Sequence, residues 1–245
     1  MSLADAAFLV VAGFFSGLIG FVTGLASVVS YPALLAVGVP PVAANVTNTV
    51  AMVAVSVGAT ANSAGELLSR GKQLVWWCVL AAIGGAIGAL VLLVASAESF
   101  EAIVPALILI AAIALLAQPR LRTLAAKADL PLLLPIGIVA VSIYGGYFGA
   151  GAGVMILALF LIATSESIWS ATLLKSVLLG IANLVAAVGF AFFGPVDWLA
   201  ALALAVGMLV GGWCGPPTVK LIPPNVLRIA VAIAAIGLAG WLFVR

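Results

Sequence analysis

Apolar residues run almost unbroken through this chain, and polar positions fall mainly at the ends of the runs. Eight hydrophobic elements can be marked: Ala6–Gly38, Pro41–Leu67, Leu74–Ala97, Ala102–Ala117, Leu132–Ala163, Ile168–Phe193, Val196–Gly215 and Val226–Val244. Several reach the ~20 residues that cross a bilayer as a helix. They are continuous and do not alternate, which argues against a β-barrel. The pattern predicts an all-α polytopic membrane protein. The first element of each half, Ala6–Gly38 and Leu132–Ala163, is too long for one simple span and carries glycines near its middle. Each is either one tilted helix or a broken, re-entrant pair. The second arrangement implies a site, because irregular backbone at membrane depth must be covered by protein or line a cavity.

The most polar connector, Gln118–Leu130, holds Arg120, Arg122, Lys127 and Asp129 and divides the chain into similar halves. We read residues 1–118 as one membrane repeat, 119–130 as a basic cytoplasmic linker and 131–245 as a second repeat, together forming one transport domain. Gly17, Gly20 and Gly24 match Gly146, Gly149 and Gly153 at a constant offset. Gly84, Gly85 and Gly88 match Gly211, Gly212 and Gly215 at an offset two residues smaller. A duplicated membrane unit is a common plan of secondary transporters.

Loop charge bears on orientation. With the basic connector inside, Arg70 and Lys72 also lie inside and Glu98 and Glu101 outside. A full span at Leu132–Ala163 would put Lys220 and Arg228 outside. A re-entrant pair puts them inside and inverts the second repeat relative to the first, at the cost of placing Arg245 outside. The inverted reading agrees better with the positive-inside tendency.

Composition narrows the function classes. Of 245 residues, 66% are hydrophobic and 7% charged, and the mean hydropathy is +1.41. A net charge of +2 without a basic cluster excludes nucleic acid as a partner. The lipid bilayer is the expected surrounding, and a homodimer is compatible with it. Met1–Val10 contains Asp5 but no Lys or Arg, so it lacks a basic signal-peptide region and is expected to remain as membrane helix. Two isolated cysteines, Cys78 and Cys214, and no histidine make a metal or haem site improbable, and no cofactor is expected. Trp76, Trp77, Trp169, Trp198 and Trp241 lie near segment ends, as in an interfacial aromatic belt.

Candidate chemistry clusters after the two glycine breaks. Ser27 and Tyr31 follow the first, and AANVTNT then supplies Asn45, Thr47, Asn48 and Thr49. Buried without partners, these groups would cost several kcal/mol. They either hydrogen-bond between helices or line a wet cavity. The corresponding stretch of the second half is ATLLKS, with Thr172, Lys175 and Ser176, and Asn183 lies further along that helix. Lys175 is the one unambiguous charge within Ile168–Phe193. A cation there must be paired, solvated or used. It either snorkels to the interface, pairs with Glu166 or Glu66, or joins the amides and hydroxyls in an oxyanion site. Helix N-termini at Gly24 and Gly153 would add exposed N–H groups. Glu66 is the candidate for proton coupling. Glu166 and Asp197 read as interfacial.

The segments SVVSYPALLAVGVPPVAANVTNT (Ser27–Thr49) and YGGYFGAGAGVMILALFL (Tyr144–Leu161) resemble the TauE/SafE sulfite exporter family, also called the 4-toluene sulfonate uptake permeases. The resemblance covers essentially the whole chain. Thr23, Gly24 and Leu25 stand where members often show more glycine. The resemblance implies transport of anionic sulfur compounds such as sulfite, sulfonates or sulfoacetate across the bacterial inner membrane, with export as the commoner direction. On this reading the substrate is a small anion, and Tyr144 joins the candidate site. No nucleotide-binding loop is recognisable, so proton motive force is the expected energy source. A passive anion channel could use the same lining. An enzyme would need a nucleophile with a base, or a metal set, which these residues do not offer. A structural membrane protein would not require a lysine beside glycine breaks.

Overall fold

The computed structural model describes residues 1–61, 71–124, 132–218 and Ile233. These residues form nine helices and no strand: α1 (Leu3–Thr23), α2 (Ser27–Ala36), α3 (Pro41–Ala61), α4 (Gly71–Val94), α5 (Ala97–Leu124), α6 (Leu133–Tyr147), α7 (Ala152–Ala163), α8 (Ile168–Phe193) and α9 (Trp198–Thr218). Within them Leu3–Thr23, Pro41–Ala61, Gly71–Val94, Ile168–Phe193 and Trp198–Gly215 are long and apolar enough to cross a membrane. The protein is therefore a polytopic helical membrane protein. The predicted element Val226–Val244 lies outside the described residues apart from Ile233, as do Glu66, Arg70, Lys127, Lys220, Arg228 and Arg245.

Helix boundaries follow local chemistry. Ser2 and Asp5 form a capping box at the start of α1, with Ser2 N donating to Asp5 Oδ2 at 2.8 Å and Asp5 N to Ser2 Oγ at 3.1 Å. Ser167 accepts from Ser170 N at 3.1 Å to start α8. Asp197, expected to be merely interfacial, accepts from Ala200 N at 3.0 Å and opens α9. Each long first element is broken in two, at Gly24 and at residues 148–151. A single tilted helix is thereby excluded for both. Helix α5 extends further than its apolar core predicts, running through Gln118 into the basic connector as far as Leu124.

Glycines set the packing. A Cβ on Gly207 would meet Val10 O and Phe14 N, and one on Gly211 would meet Phe14 O and Leu18 N, so α9 lies along α1 in parallel. The same relation joins α4 to α6: Gly84 faces Val139 O and Ile143 N, and Gly88 faces Ile143 O and Tyr147 N. Small residues allow this close approach, which helices in lipid depend on for association. Helix α7 doubles back beside α6, with Gly145 facing Ala152 and Gly137 facing Leu159. At 15 and 12 residues, neither is long enough to cross alone.

Two apolar clusters hold the bundle. One centres on Leu9, Leu34, Phe100, Phe148, Phe190 and Leu204, the other on Phe21, Ile138, Ile156, Phe160, Leu173 and Leu178. The outer surface carries exposed Phe8, Phe15, Ile83, Leu90, Leu202 and Val206, as a lipid-facing surface should. Trp76 and Trp198 are exposed and fit the aromatic belt. Trp77 does not: it is 5% exposed and packs edge-on against Phe160 at 5.2 Å. Its indole fills the second core cluster.

Candidate functional site

The two helix breaks meet. Gly24 ends α1 in the left-handed conformation, φ 83°, with its N–H on Gly20 O at 2.9 Å. The second break turns on Gly149 and Gly151, φ 78° and 81°. Gly153, in the first turn of α7, lies with its backbone against that of Gly24. A Cβ on Gly24 would come within 2.5 Å of Gly153 C and 2.6 Å of Val154 N. Only a residue with no side chain tolerates both the backbone angle and the contact at Gly24.

Breaking a helix leaves carbonyls without intrahelical partners, and in a membrane interior water is not freely available to satisfy them. Here each carbonyl end receives a donor from the other half of the chain. Lys175 of α8 donates from Nζ to Phe21 O at 2.5 Å and Gly20 O at 3.2 Å, at the end of α1. The ammonium also lies 5.6 Å from the Phe21 ring centroid. Asn45 of α3 donates from Nδ2 to Tyr147 O at 2.9 Å, at the end of α6. Tyr144 donates its hydroxyl to Ala150 O within the same break. A cation at a helix C-terminus is favoured by the helix dipole as well as by hydrogen bonding.

Lys175 is 2% exposed, so it does not snorkel. Among the described residues no carboxylate pairs with it, Glu166 included. It borders a small, partly open cavity of about 30 Å³, which Gly24, Met52, Ser56, Ser176 and Asn183 also line. By volume this space admits about two waters.

The other predicted residues separate into distinct roles. All four polar residues of AANVTNT are buried. Asn48 donates to Ser27 Oγ at 3.1 Å and to Met52 Sδ at 3.5 Å. The Oδ1 atoms of Asn45 and Asn48 have no partner among the described residues. Thr49 bonds back to Asn45 O at 3.0 Å, and Thr47 Oγ1 accepts from Asp197 N at 3.0 Å. Thr172 and Ser176 donate to Ile168 O and Thr172 O of their own helix, at 2.7 and 3.0 Å. Tyr31 stands apart from the small cavity. It packs edge-on to Phe148 at 5.6 Å and lines a larger cavity of about 410 Å³ with Pro40, Pro41, Glu101 and Val104.

The geometry thus gathers Lys175, Ser176, Asn183 and Gly24 at one cavity and leaves Tyr31, Thr47 and Thr49 elsewhere. It adds Ser56, Met52 and the carbonyls of Gly20 and Phe21. Ser56 carried a weak signal in the sequence, as a lone hydroxyl in an apolar run. The backbone carbonyls carried none.

Comparison with known proteins agrees with this architecture. The family model described as sulfite exporter TauE/SafE matches residues 6–242. A protein of Sinorhizobium sp. named "Probable membrane transporter protein ORF9" is 27% identical over 236 residues, covering 93% of this chain and 90% of the relative. No solved structure matches. The chain belongs to the TauE/SafE family of membrane transporters.

Proposed function

We propose that this protein is a secondary transporter that exports a small anionic sulfur compound, of the sulfite, sulfonate or sulfoacetate type, across the bacterial inner membrane. The observation that carries the reading is the unequal treatment of the helix ends at the breaks. The carbonyl ends of α1 and α6 are covered by Lys175, Asn45 and Tyr144. The amino ends of α2 and α7 converge where Gly24 meets Gly153. Covering the negative ends leaves the positive ends and the Lys175 charge facing the centre, an arrangement suited to an anion. Asn48 and Ser27 supply further polar groups nearby, and Glu66 is retained as the coupling candidate.

Alternating access of two inverted repeats is the mechanism we favour. Its support is the packing register. Helix α9 meets α1 as α4 meets α6, each through a pair of glycines four residues apart. Gly85 faces Ala182 of α8, and Gly212 faces Val55 of α3, through the same three backbone atoms. The second relation keeps the sequence pairing of Gly85 with Gly212. The first instead sets Gly84 opposite Gly207, one helical turn away from its sequence match Gly211. The parallel set α1, α3 and α9 is joined to the parallel set α4, α6 and α8 by the tight connection after α8, so the sets run oppositely. That supports entry of α1 and α6 from opposite faces.

Purified protein in sealed proteoliposomes tests the proposal. With an imposed proton gradient, sulfite or a short sulfonate should accumulate against its own gradient. Flux that only equilibrates would establish the channel reading instead. Lys175→Ala should insert normally and lose most transport, and Asn48→Ala should weaken affinity. Full activity in Lys175→Ala would remove that residue from the mechanism.

A further inference from the structure

The cavity beside Lys175 has a second wall from the opposite half of the chain. Ser56 of α3 faces Gly180 of α8 where the two helices cross. A Cβ on Gly180 would lie 2.5 Å from Ser56 Cβ and 2.8 Å from Ser56 Oγ. Glycine at that position therefore lets the Ser56 hydroxyl reach α8. Among the described residues this hydroxyl makes no hydrogen bond and lines the cavity. Asn183, 4% exposed, lines it too, with its amide likewise unengaged among the described residues. Lys175 uses two of its three N–H groups on α1 carbonyls. The cavity thus meets one spare ammonium N–H, one hydroxyl and one amide, with no carboxylate among its described lining.

We propose that Ser56, Asn183 and Lys175 form the subsite for the –SO3 headgroup of the substrate, with Gly180 as the residue that admits Ser56. This rests on the transporter reading above and specifies its site. A sulfonate or sulfite head presents several oxygens that accept hydrogen bonds from different directions. Three donors on two helices can each take one. An anion on Nζ would also stand close to Gly20 O and Phe21 O, where like partial charges repel. The ammonium then releases those carbonyls, and headgroup binding is coupled to movement at the Gly24 break.

The test is calorimetric binding of sulfite, and separately of methanesulfonate, to the purified full-length protein in nanodiscs. Ser56→Ala and Asn183→Ala should each raise Kd about tenfold or more for both anions, as loss of a hydrogen bond to a charged group does. Gly180→Ala should weaken binding similarly by displacing Ser56. Thr164→Val, which alters a hydroxyl bonded to its own helix at Phe160 O, should leave binding unchanged and serves as the control. Parental affinity in both Ser56→Ala and Asn183→Ala, with binding lost in Lys175→Met, would overturn the subsite and leave the transporter reading standing. Weakening for sulfite alone would overturn a shared headgroup site. Absence of anion binding in the parent protein would overturn both proposals.

Discussion

The two breaks solve one problem by different chemistry. At the first, a single left-handed glycine separates α1 from α2, and a buried cation closes the carbonyl end. At the second, a longer turn with two left-handed glycines separates α6 from α7, and neutral groups, the Asn45 amide and the Tyr144 hydroxyl, do the closing. The second break demonstrates that closure does not require a charge. Burying an ammonium is expensive, and an uncharged donor would hold the same carbonyls at lower desolvation cost. The charge at the first break is therefore more than closure needs, and that surplus is what an anion can use.

The largest effect should come from the point the breaks share. Gly24→Val combines a left-handed φ with collision against Gly153 C and Val154 N, and should cost about 3 kcal/mol or more. Size-exclusion chromatography of the solubilised variant should show little monodisperse protein. Gly153→Ala meets the same neighbour without the backbone strain and should retain more. A parental yield for Gly153→Ala would mean that the breaks are not in contact. Next in size is Lys175→Gln, which gives the first break the kind of neutral closure seen at the second. It should fold and melt within a few degrees of the parent, yet lose about tenfold or more in transport, the scale of one charged hydrogen bond. Parental flux would show the two closures to be functionally interchangeable.

Much of this comparison is legible in the sequence. The mid-element glycines and the length of each first element leave a tilted helix or a break, and the structure has the break in both. Ile168–Phe193 is a helix with the predicted limits. The sequence could not tell whether Lys175 snorkels or points inward, because depth alone permits both. Nor could it reveal the lysine's partners. They are main-chain carbonyls more than 150 positions away, and backbone groups are the same whatever residue carries them. Thr47 teaches the same lesson. It stands in a cluster that reads either as interhelical hydrogen bonding or as cavity lining, and its hydroxyl takes the first course, accepting from the backbone of Asp197 at the start of α9. Ser56 is the converse case, a residue with no neighbouring polar pattern that tertiary packing brings to the cavity beside Lys175.

Smaller effects distinguish closure from use. Asn45→Leu removes the donor to Tyr147 O and should cost about 1–3 kcal/mol, seen as a lower melting temperature. Transport per folded molecule should fall much less than in Lys175→Gln, since no charge is lost. A collapse of transport at unchanged stability would instead place Asn45 in the substrate site. Thr47→Val should have the smallest effect. It leaves Asp197 N without its side-chain acceptor at a half-buried position, for about 1 kcal/mol, and α9 keeps its Asp197 cap to Ala200 N. Because Thr47 and Asn48 are adjacent on α3, the pair separates the two uses of one polar cluster. Thr47→Val should shift melting and spare anion affinity, whereas Asn48→Ala should weaken affinity. Reversal of that order would assign the cavity to the other side of the helix.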